Sequence, residues 1–201
     1  NRKTITSAAN NVPVIDNVYR LNPADAGGSP KSSNFFVTNA ISDLSSVITT
    51  TITMEAWVKP NSFTFAGNNT DIGAIMVPGG NFYLSLDGNG KFNAFMYGSN
   101  GNTTSHQPST TSVTRHVWNH IVWTFDGINI RWYLNGVLDK TSSTFNIGTI
   151  TVSSYIGIGA ESNSTYGRML DGYVDGCKIY GKILSSDEIL SNYSCLLYTS
   201  D

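Results

Sequence analysis

The stretch from Val117 to Asp139 constrains the fold more than any other part of this 201-residue chain. Two turn signals divide it, Asp126-Gly127 and Asn135-Gly136, and both dipeptides supply the positive φ angles that tight hairpin turns require. The segments beside these turns alternate between two kinds of side chain, which is the period of a strand. The stretch therefore predicts antiparallel strands joined by tight turns.

A two-residue loop at Asp126-Gly127 fixes the register of the first two strands. Phe125 would then face Ile128, and Ile121 would face Trp132. One face is apolar and carries Ile121, Trp123, Phe125, Ile128, Ile130, Trp132 and Leu134. The other face is mixed and carries Trp118, His120, Val122, Thr124, Asn129, Arg131 and Tyr133. A one-residue slip would scramble this sorting, so we expect one dry face and one half-polar face.

The composition narrows the class of protein. Apolar residues make up 40% of the chain, which is enough for a sizeable core, whereas charged residues make up only 13%. The net charge of −2 gives no electrostatic basis for binding nucleic acid or an anionic membrane. No apolar run approaches the ~20 residues of a transmembrane helix, so we expect no membrane insertion. This profile favours a single large β domain at an extracellular or virion surface.

Both ends of the chain carry information about its origin. The sequence starts without Met and without a signal peptide, which indicates a mature or excised piece of a longer protein. Residues 195–201 resemble a translated sequencing adapter of the kind found in truncated metagenomic reading frames. The native sequence would then differ after about Ser194, and Cys195 would be foreign. Cys177 would be a lone thiol inside a strand, most simply a small core residue.

Turn signals recur about every 8–12 residues and predict about a dozen strands, the pattern of a β-sandwich. Residues 1–33 are polar and predict an arm or connection with one short strand at Val18–Leu21. Val47–Pro60 is rich in β-branched residues and predicts a long strand that ends at its proline. Gly98–Ser112 has few apolar residues and is the best candidate for a mobile loop.

Two local patterns predict further detail. Phe82 pairs coherently with Met96, and Leu86 with Phe92, only if the loop between their strands holds an odd number of residues. We therefore expect a bulged turn there. Ser185, followed by early acidic residues, predicts the N-cap of a short C-terminal helix.

Three motifs, in order, resemble the laminin-G-like branch of the concanavalin-A-like lectin/glucanase superfamily. They are Ile52–Pro60, then Trp118–Gly127 with Tyr133–Gly136, and finally Ile156–Gly159 with Leu170–Tyr180 and Leu184–Ile189. The resemblance covers roughly residues 34–190 and implies an all-β jelly-roll sandwich of two curved antiparallel sheets, spanning residues 34–194 here. Most such modules bind glycans, proteins or surfaces, often within a longer chain. The fold does not fix the function.

The resemblance to glucanases does not extend to their catalytic residues. Glucanases of this superfamily carry two carboxylates on alternate residues of one strand, as acid and as nucleophile or base. This chain has three glutamates, Glu55, Glu161 and Glu188, and no Glu-x-Asp-x-x-Glu run. We therefore expect a protein that is not an enzyme.

A structural calcium is the one cofactor that the resemblance implies. Asp175, within Gly-Tyr-Val-Asp-Gly, matches the aspartate that often serves a calcium ion in this branch. Calcium takes six to eight oxygen ligands, and one side chain with backbone carbonyls can supply part of such a site. The alternative is that Asp175 caps a turn or bulge. The three histidines lack the companions expected of zinc ligands.

Two groups of residues are candidates for glycan binding, because sugars are recognised by aromatic faces together with planar polar groups. The mixed hairpin face offers His120, Asn129, Arg131 and Tyr133. The loop after Gly159 offers Glu161, Asn163, Tyr166 and Arg168. The alternative is that these are ordinary solvated residues. For His120 the resemblance implies a packed, hydrogen-bonded histidine.

Three functional hypotheses follow. The first is a lectin-like surface or adhesion module whose partner is a glycan or polysaccharide. The second is a structural or interaction domain of a phage or giant-virus particle, which contacts protein. The third is an accessory domain of a glycoside hydrolase or sialidase.

Overall fold

The computed structural model describes the backbone of residues 6–8, 12–15, 19–21, 36–39, 48, 50–65, 72–79, 82–142, 144–150, 155–160 and 168–197. Within these residues, fourteen strands and one helix are found. They are β1 (Thr6–Ala8), β2 (Val12–Ile15), β3 (Tyr19–Leu21), β4 (Phe36–Asn39), β5 (Ile52–Pro60), β6 (Ile72–Pro78), β7 (Phe82–Asp87), β8 (Lys91–Met96), β9 (Gln107–Ser112), β10 (Asn119–Phe125), β11 (Ile130–Leu134), β12 (Val137–Thr141), β13 (Tyr155–Ile158), β14 (Gly172–Tyr180) and α1 (Ser186–Leu197).

The strands form two antiparallel sheets. The eight-stranded sheet has the order β1-β2-β14-β5-β10-β11-β12, and β3 also pairs with β14. The six-stranded sheet has the order β4-β13-β6-β7-β8-β9. This arrangement confirms the predicted all-β sandwich with a short C-terminal helix. In the part of the chain that the structure describes, no helix has the length and apolar character needed to cross a bilayer.

The main core lies between the two sheets and follows the period-two alternation of their strands. Trp123 on β10 and Trp132 on β11 face each other across the hairpin and are completely buried. The alternate residues of β5, from Ile52 to Val58, point into the same core. Truncating either tryptophan to alanine would remove a side chain whose loss costs about 3–5 kcal/mol in a packed interior.

The first hairpin turn differs from the prediction. Phe125 pairs with Ile130, not with Ile128, because the loop contains four residues, Asp126–Asn129. The carboxylate of Asp126 accepts hydrogen bonds from the backbone N–H groups of Ile128 at 3.0 Å and Asn129 at 2.7 Å. Each residue of β10 therefore pairs with a residue two positions further along β11 than predicted. Because this shift is an even number, the side chains keep their predicted faces. Ile128 is the exception: it lies in the loop and is 51% exposed.

The second turn is as predicted. Leu134 pairs with Val137, which leaves Asn135 and Gly136 as a two-residue loop. Their φ angles are 50° and 79°, as a type I′ turn requires at both central positions. The Asn135 side chain also accepts a hydrogen bond from the His120 backbone N–H at 2.9 Å, which ties the turn to the start of β10.

The loop between β7 and β8 also has the predicted odd length. Leu86 pairs with Phe92, and Phe82 pairs with Met96. Gly90 adopts a φ of 76° in this loop, and its N–H donates to the carbonyl of Asp87 at 2.9 Å. A bulged turn with a glycine in the left-handed region fits this geometry.

The prediction of a mobile loop over Gly98–Ser112 is wrong for its second half, because Gln107–Ser112 forms the edge strand β9. Its composition is that of a loop, but its backbone is held by side chains of β12, the edge strand of the other sheet. The Asp139 carboxylate accepts from the N–H groups of Thr110 at 2.6 Å and Thr111 at 3.1 Å. The Lys140 ammonium donates to the Pro108 carbonyl at 2.7 Å. Together these bonds close one side of the sandwich and shield an exposed edge.

The N-terminal segment contains more strand than predicted. The short strand expected at Val18–Leu21 is present as β3, but β1 and β2 were not predicted. Both β2 and β3 pair with β14, so the segment extends the eight-stranded sheet.

The C-terminal helix begins as predicted. The Ser185 hydroxyl accepts from the Glu188 N–H at 3.2 Å, and the Glu188 carboxylate accepts from the Ser185 N–H at 2.8 Å. This reciprocal pair is a capping box. Cys177 is a buried free thiol, as expected, and Cys195 is an exposed free thiol on α1.

Gly98 offers a test of the fold where β8 ends against residues 147–150. A Cβ atom at Gly98 would lie 1.7 Å from the Ile147 carbonyl oxygen, so the backbone would have to move. We expect Gly98→Ala to lower the free energy of unfolding by about 2–3 kcal/mol and Tm by roughly 5–10 °C. Gly88→Ala is the matched control, because a Cβ atom at Gly88 would have no heavy atom nearer than the Phe63 carbonyl oxygen, at 3.8 Å. Equal Tm values for the two variants in thermal unfolding would contradict this packing.

Candidate functional site

The described members of the two groups of predicted glycan-binding residues lie on opposite outer faces of the sandwich. His120, Asn129, Arg131 and Tyr133 belong to the β10–β11 hairpin of the eight-stranded sheet. Arg168 lies against the outer face of the six-stranded sheet, where its carbonyl accepts from the Ala74 N–H at 2.7 Å. Glu161, Asn163 and Tyr166 lie outside the described residues. The structure therefore does not bring Arg168 together with the hairpin residues.

The prediction that His120 and Tyr133 offer a ligand-binding surface is wrong. His120 is completely buried and Tyr133 is 4% exposed, because α1 packs on this face of the sheet. Leu184 and Ile189 cover Val122 and Tyr133 and form a second apolar cluster there. The packed histidine that the family resemblance implied is what the structure shows.

A buried carboxylate lies at the centre of this helix-covered face. Glu55, on β5, is completely buried. Its carboxylate accepts hydrogen bonds from the Lys178 ammonium at 2.8 Å, the Tyr180 hydroxyl at 3.2 Å and the Asn192 amide at 2.7 Å. His120 Nε2 lies 3.3 Å from the same carboxylate. Asn192 belongs to α1, so the charge network joins the helix to the sheet.

Burial by itself raises the pKa of Glu55, but its partners reverse the shift. The neighbouring His120 imidazole and the ammonium of Lys178 lower the pKa of Glu55 from 4.5 to about 2. Burial and the neighbouring Glu55 carboxylate raise the pKa of Tyr180, which keeps its hydroxyl protonated as a donor. Glu55 therefore holds the helix in place, and its environment is that of a structural anion.

Asn129 and Arg131 lie at the far end of the same hairpin and are half-buried. The Arg131 guanidinium forms an ion pair with Asp126 at 2.6 Å. That pair braces the four-residue turn. A role for these two residues in glycan binding stays a prediction.

An aromatic cluster lies on the outer face of the six-stranded sheet, next to Arg168. Its side chains alternate with core residues along β7 and β8, so they point away from the main core. Tyr83 meets Phe95 edge to face, with ring centroids 5.3 Å apart, and Phe95 meets Tyr97 in the same way at 4.9 Å. His106 stacks on Phe95 at 4.6 Å. We call Tyr83, Phe95, Tyr97, His106 and Arg168 the aromatic cluster.

The outermost members of the aromatic cluster are accessible. Tyr97 is 44% exposed and His106 is also exposed, whereas Tyr83 and Phe95 form the floor. The Arg168 guanidinium lies 5.0 Å from the centroid of the Tyr83 ring. Arg168 adopts a φ of 61°, an uncommon backbone conformation for this residue type. Ring faces beside a planar cation are the groups that recognise sugars.

Arg168 is the one member of this cluster that was predicted from the sequence as a site residue. A signal was present for Tyr83, Phe95 and Tyr97, since each is an aromatic residue at an outward position of a strand. His106 had no comparable signal, because it lies in the segment interpreted as a mobile loop.

The structure gives the predicted calcium site no further support. Asp175 lies at a bulge of β14 where the register with β5 shifts, and its carboxylate accepts from the Gly176 N–H at 2.7 Å. Gly176 has a φ of 55°, in the left-handed region. Among the described residues, no group of three His, Cys, Asp or Glu side chains could hold a metal ion. The geometry fits the alternative, a capped bulge, and calcium at Asp175 stays a prediction.

Comparisons with known proteins were consistent with the fold. A laminin G-type family model, described as the concanavalin A-like lectin/glucanases superfamily, matches residues 32–190. No curated protein matches the chain.

Several solved structures share this architecture. The binding domain of botulinum neurotoxin serotype G has a TM-score of 0.67 and 17% identity, over 96% of this chain and 48% of that one. The sialidase carbohydrate-binding module CBM40 of Ruminococcus gnavus, bound to α2,3 sialyllactose, has a TM-score of 0.61 and 17% identity, over 77% and 91%. A SAP-like pentraxin from Limulus polyphemus has a TM-score of 0.57 and 12% identity, over 89% and 81%. The chain thus spans about half the length of the toxin binding domain.

Glu55 generates a pH-dependent prediction. A carboxylate with a lowered pKa stabilises the fold above its ordinary pKa of 4.5, and this contribution is lost as the pH falls toward about 2. We expect Glu55→Gln to lower the free energy of unfolding at neutral pH by about 3 kcal/mol, since it leaves Lys178 without its counter-charge. Urea unfolding across this pH range should show the difference between wild type and variant shrinking in acid.

Glu188→Gln is the matched control for that experiment. Its carboxylate is also paired with a lysine, Lys182, but both side chains are exposed. Its loss should cost less than about 1 kcal/mol. If the loss of unfolding free energy in Glu55→Gln did not change with pH, the assignment of Glu55 as the titrating group would be contradicted.

Proposed function

The chain belongs to the concanavalin A-like lectin/glucanase superfamily, and from this premise we propose that it is a non-catalytic carbohydrate-binding module whose ligand contacts the aromatic cluster. The observation that carries the proposal is the pair of accessible rings, Tyr97 and His106, which pack on Phe95 in the same cluster as Tyr83 and the Arg168 guanidinium. The ligand is a saccharide at an extracellular or virion surface. The module acts as part of a longer protein.

The chemistry of the aromatic cluster suits a sugar. A pyranose ring presents a face of C–H groups that packs against an aromatic ring, while its hydroxyl groups need planar donors and acceptors at the rim. Tyr97 and His106 supply the rings, and the Arg168 guanidinium supplies a planar cation. The floor of Tyr83 and Phe95 holds the upper rings by edge contacts and stacking, so little side-chain freedom is lost on binding.

The loop after Gly159 supplies the other predicted ligand contacts. Arg168 belongs to the aromatic cluster, and Glu161, Asn163 and Tyr166 precede it in sequence. On this sequence proximity alone, these three residues stay predicted contacts of the same ligand. Asn129 and Arg131, on the opposite sheet, are left out of the proposed site.

The fold relatives support binding in preference to catalysis. One of them is a carbohydrate-binding module of a sialidase, bound to α2,3 sialyllactose, and another is a toxin binding domain. In this chain Glu55 is enclosed under α1 and Glu188 caps that helix, so neither carboxylate faces the aromatic cluster. An accessory domain of a glycosidase or sialidase is one longer protein that would use such a module.

One observation favours the second candidate function, a structural or interaction domain of a virus particle. Val137 and Leu138 on the edge strand β12 are 67% and 50% exposed, and Leu190 on α1 is 47% exposed. These apolar side chains lie on the sheet opposite the aromatic cluster. A protein partner on this surface would be compatible with a glycan on the other.

Tyr97 provides the test of the proposed site. We expect Tyr97→Ala to weaken binding of the saccharide about tenfold, because a ring contact of this kind contributes about 0.5–1.5 kcal/mol. Tyr97→Phe keeps the ring and should retain most of the affinity. A glycan array would identify the ligand, and calorimetry would compare the variants.

The control for this experiment is Ile128→Ala, an exposed apolar residue on the opposite sheet. It should leave affinity unchanged, and Tm should be equal for all three variants. Failure of the wild-type chain to bind any saccharide on the array would overturn the lectin proposal. Binding that is insensitive to Tyr97→Ala would instead remove the aromatic cluster from it.

A further inference from the structure

A second surface with partly exposed aromatic side chains lies on the outer face of the eight-stranded sheet. Lys59 on β5 pairs with Tyr173 on β14. Asn119 pairs with Val58, so Trp118 lies beside Lys59 on the other flank of β5. The three residues therefore form one row across three strands. They share the outer face with Trp57, because the alternate residue Val58 points into the core.

The two rings of this row approach each other over the lysine. The centroids of Trp118 and Tyr173 are 6.5 Å apart at an interplanar angle of 64°. The Lys59 ammonium lies 5.7 Å from the centroid of the Tyr173 ring. Trp118 is 36% exposed, which is unusual for a side chain whose burial would be favourable. The helix α1 covers the neighbouring rows of this face, where its Tyr193 side chain stacks on Trp57.

Within the part of the chain that the structure describes, the polar atoms of this row have no acceptor. Among the described residues, no carboxylate lies within ion-pair distance of Lys59, whereas Lys178 and Lys182 each have a glutamate partner. The indole N–H of Trp118 and the hydroxyl of Tyr173 likewise donate to no atom of the described chain. The row thus offers two ring faces, two neutral donors and one cation. A ligand that satisfies it must be rich in acceptors and must present a flat apolar face.

We infer that Trp118, Lys59 and Tyr173 form a second saccharide-binding site, which takes a sugar that carries a carboxylate. The sugar ring packs on Trp118, the Lys59 ammonium pairs with the carboxylate, and the Tyr173 hydroxyl and Trp118 indole N–H donate to ring or hydroxyl oxygens. The site lies on the opposite sheet from the aromatic cluster and does not depend on it. Asp175 lies in the next row, opposite Trp57, and its negative charge disfavours a second anionic group on the ligand.

The four tryptophans give this site an intrinsic reporter. Trp123 and Trp132 are completely buried and Trp57 is 6% exposed, so Trp118 is the tryptophan that a neutral quencher reaches. A ligand on Trp118 must lower the quenching of fluorescence by acrylamide. Trp118→Phe keeps an aromatic ring and should remove the quenchable fraction, which verifies the reporter.

The experiment titrates the chain with oligosaccharides of galacturonic, glucuronic and mannuronic acid, each beside its neutral methyl ester. We expect at least one acidic oligosaccharide to protect Trp118 and to bind about tenfold more tightly than its ester. Lys59→Gln should abolish that preference while leaving affinity for the ester unchanged, and Lys59→Arg should restore it. Ile128→Ala, which lies in neither proposed site, should change none of these values. Protection of Trp118 reports this row alone, so failure of the proposed aromatic-cluster site and failure of this one are distinguishable.

Three results would overturn the inference. The first is the absence of Trp118 protection by every acidic oligosaccharide. The second is an equal loss of affinity for acid and ester in Lys59→Gln, which would make the lysine a packing residue. The third is protection by phosphatidylserine vesicles together with none by saccharides, which would identify the row as a membrane contact.

Discussion

The burial of both faces of the strand β5 is the constraint on which the rest of the structure depends. One face, from Ile52 to Val58, belongs to the core between the sheets. The other carries Glu55, a carboxylate that cannot remain buried unless its charge is balanced. The balance comes from Lys178 and Tyr180 on the neighbouring strand and from Asn192 on the helix. The position of α1 is therefore set by a charge as well as by apolar contacts.

The location of the helix determines which surfaces remain for ligands. By covering His120 and Tyr133, α1 removes the middle of the eight-stranded sheet from solvent. It leaves the row of Trp118, Lys59 and Tyr173 uncovered in the part of the chain that the structure describes. The outer face of the six-stranded sheet carries no helix among the described residues, and there the aromatic cluster remains accessible through Tyr97. In the described part of the chain, both candidate surfaces are accessible because α1 packs elsewhere.

The local features of the fold could be predicted from the sequence, and the long-range ones could not. Asn135-Gly136 determined its turn because both residues take the left-handed conformation without outside help. Asp126-Gly127 did not, since the Asp126 carboxylate binds the N–H groups of residues beyond the dipeptide and lengthens the loop. The burial of Glu55 was not predicted, because the partners of its carboxylate come from residues 120 and 178–192, which no local pattern connects to it.

The candidate site was predictable to the same limited degree. Arg168 was found because its loop is polar, while the rings beneath it were missed because outward aromatic residues were interpreted as ordinary strand residues. His120 was misassigned for the opposite reason: period-two alternation says which face a side chain takes, but not what covers that face. A helix that follows the last strand can cover either sheet, and its choice here depended on a carboxylate more than a hundred residues away in sequence.

The two surfaces lie on opposite sides of a sandwich whose sheets are about 10 Å apart. One small sugar cannot reach both, so the two proposed sites would bind separate ligands or separate stretches of one polymer. Two weak sites that engage one polysaccharide, or two neighbouring chains of it, give an avidity that exceeds either affinity without any new contact. A module with the two proposed sites on opposite faces would be suited to linking strands of a polysaccharide, and the placement of α1 leaves both sites accessible in the described part of the chain.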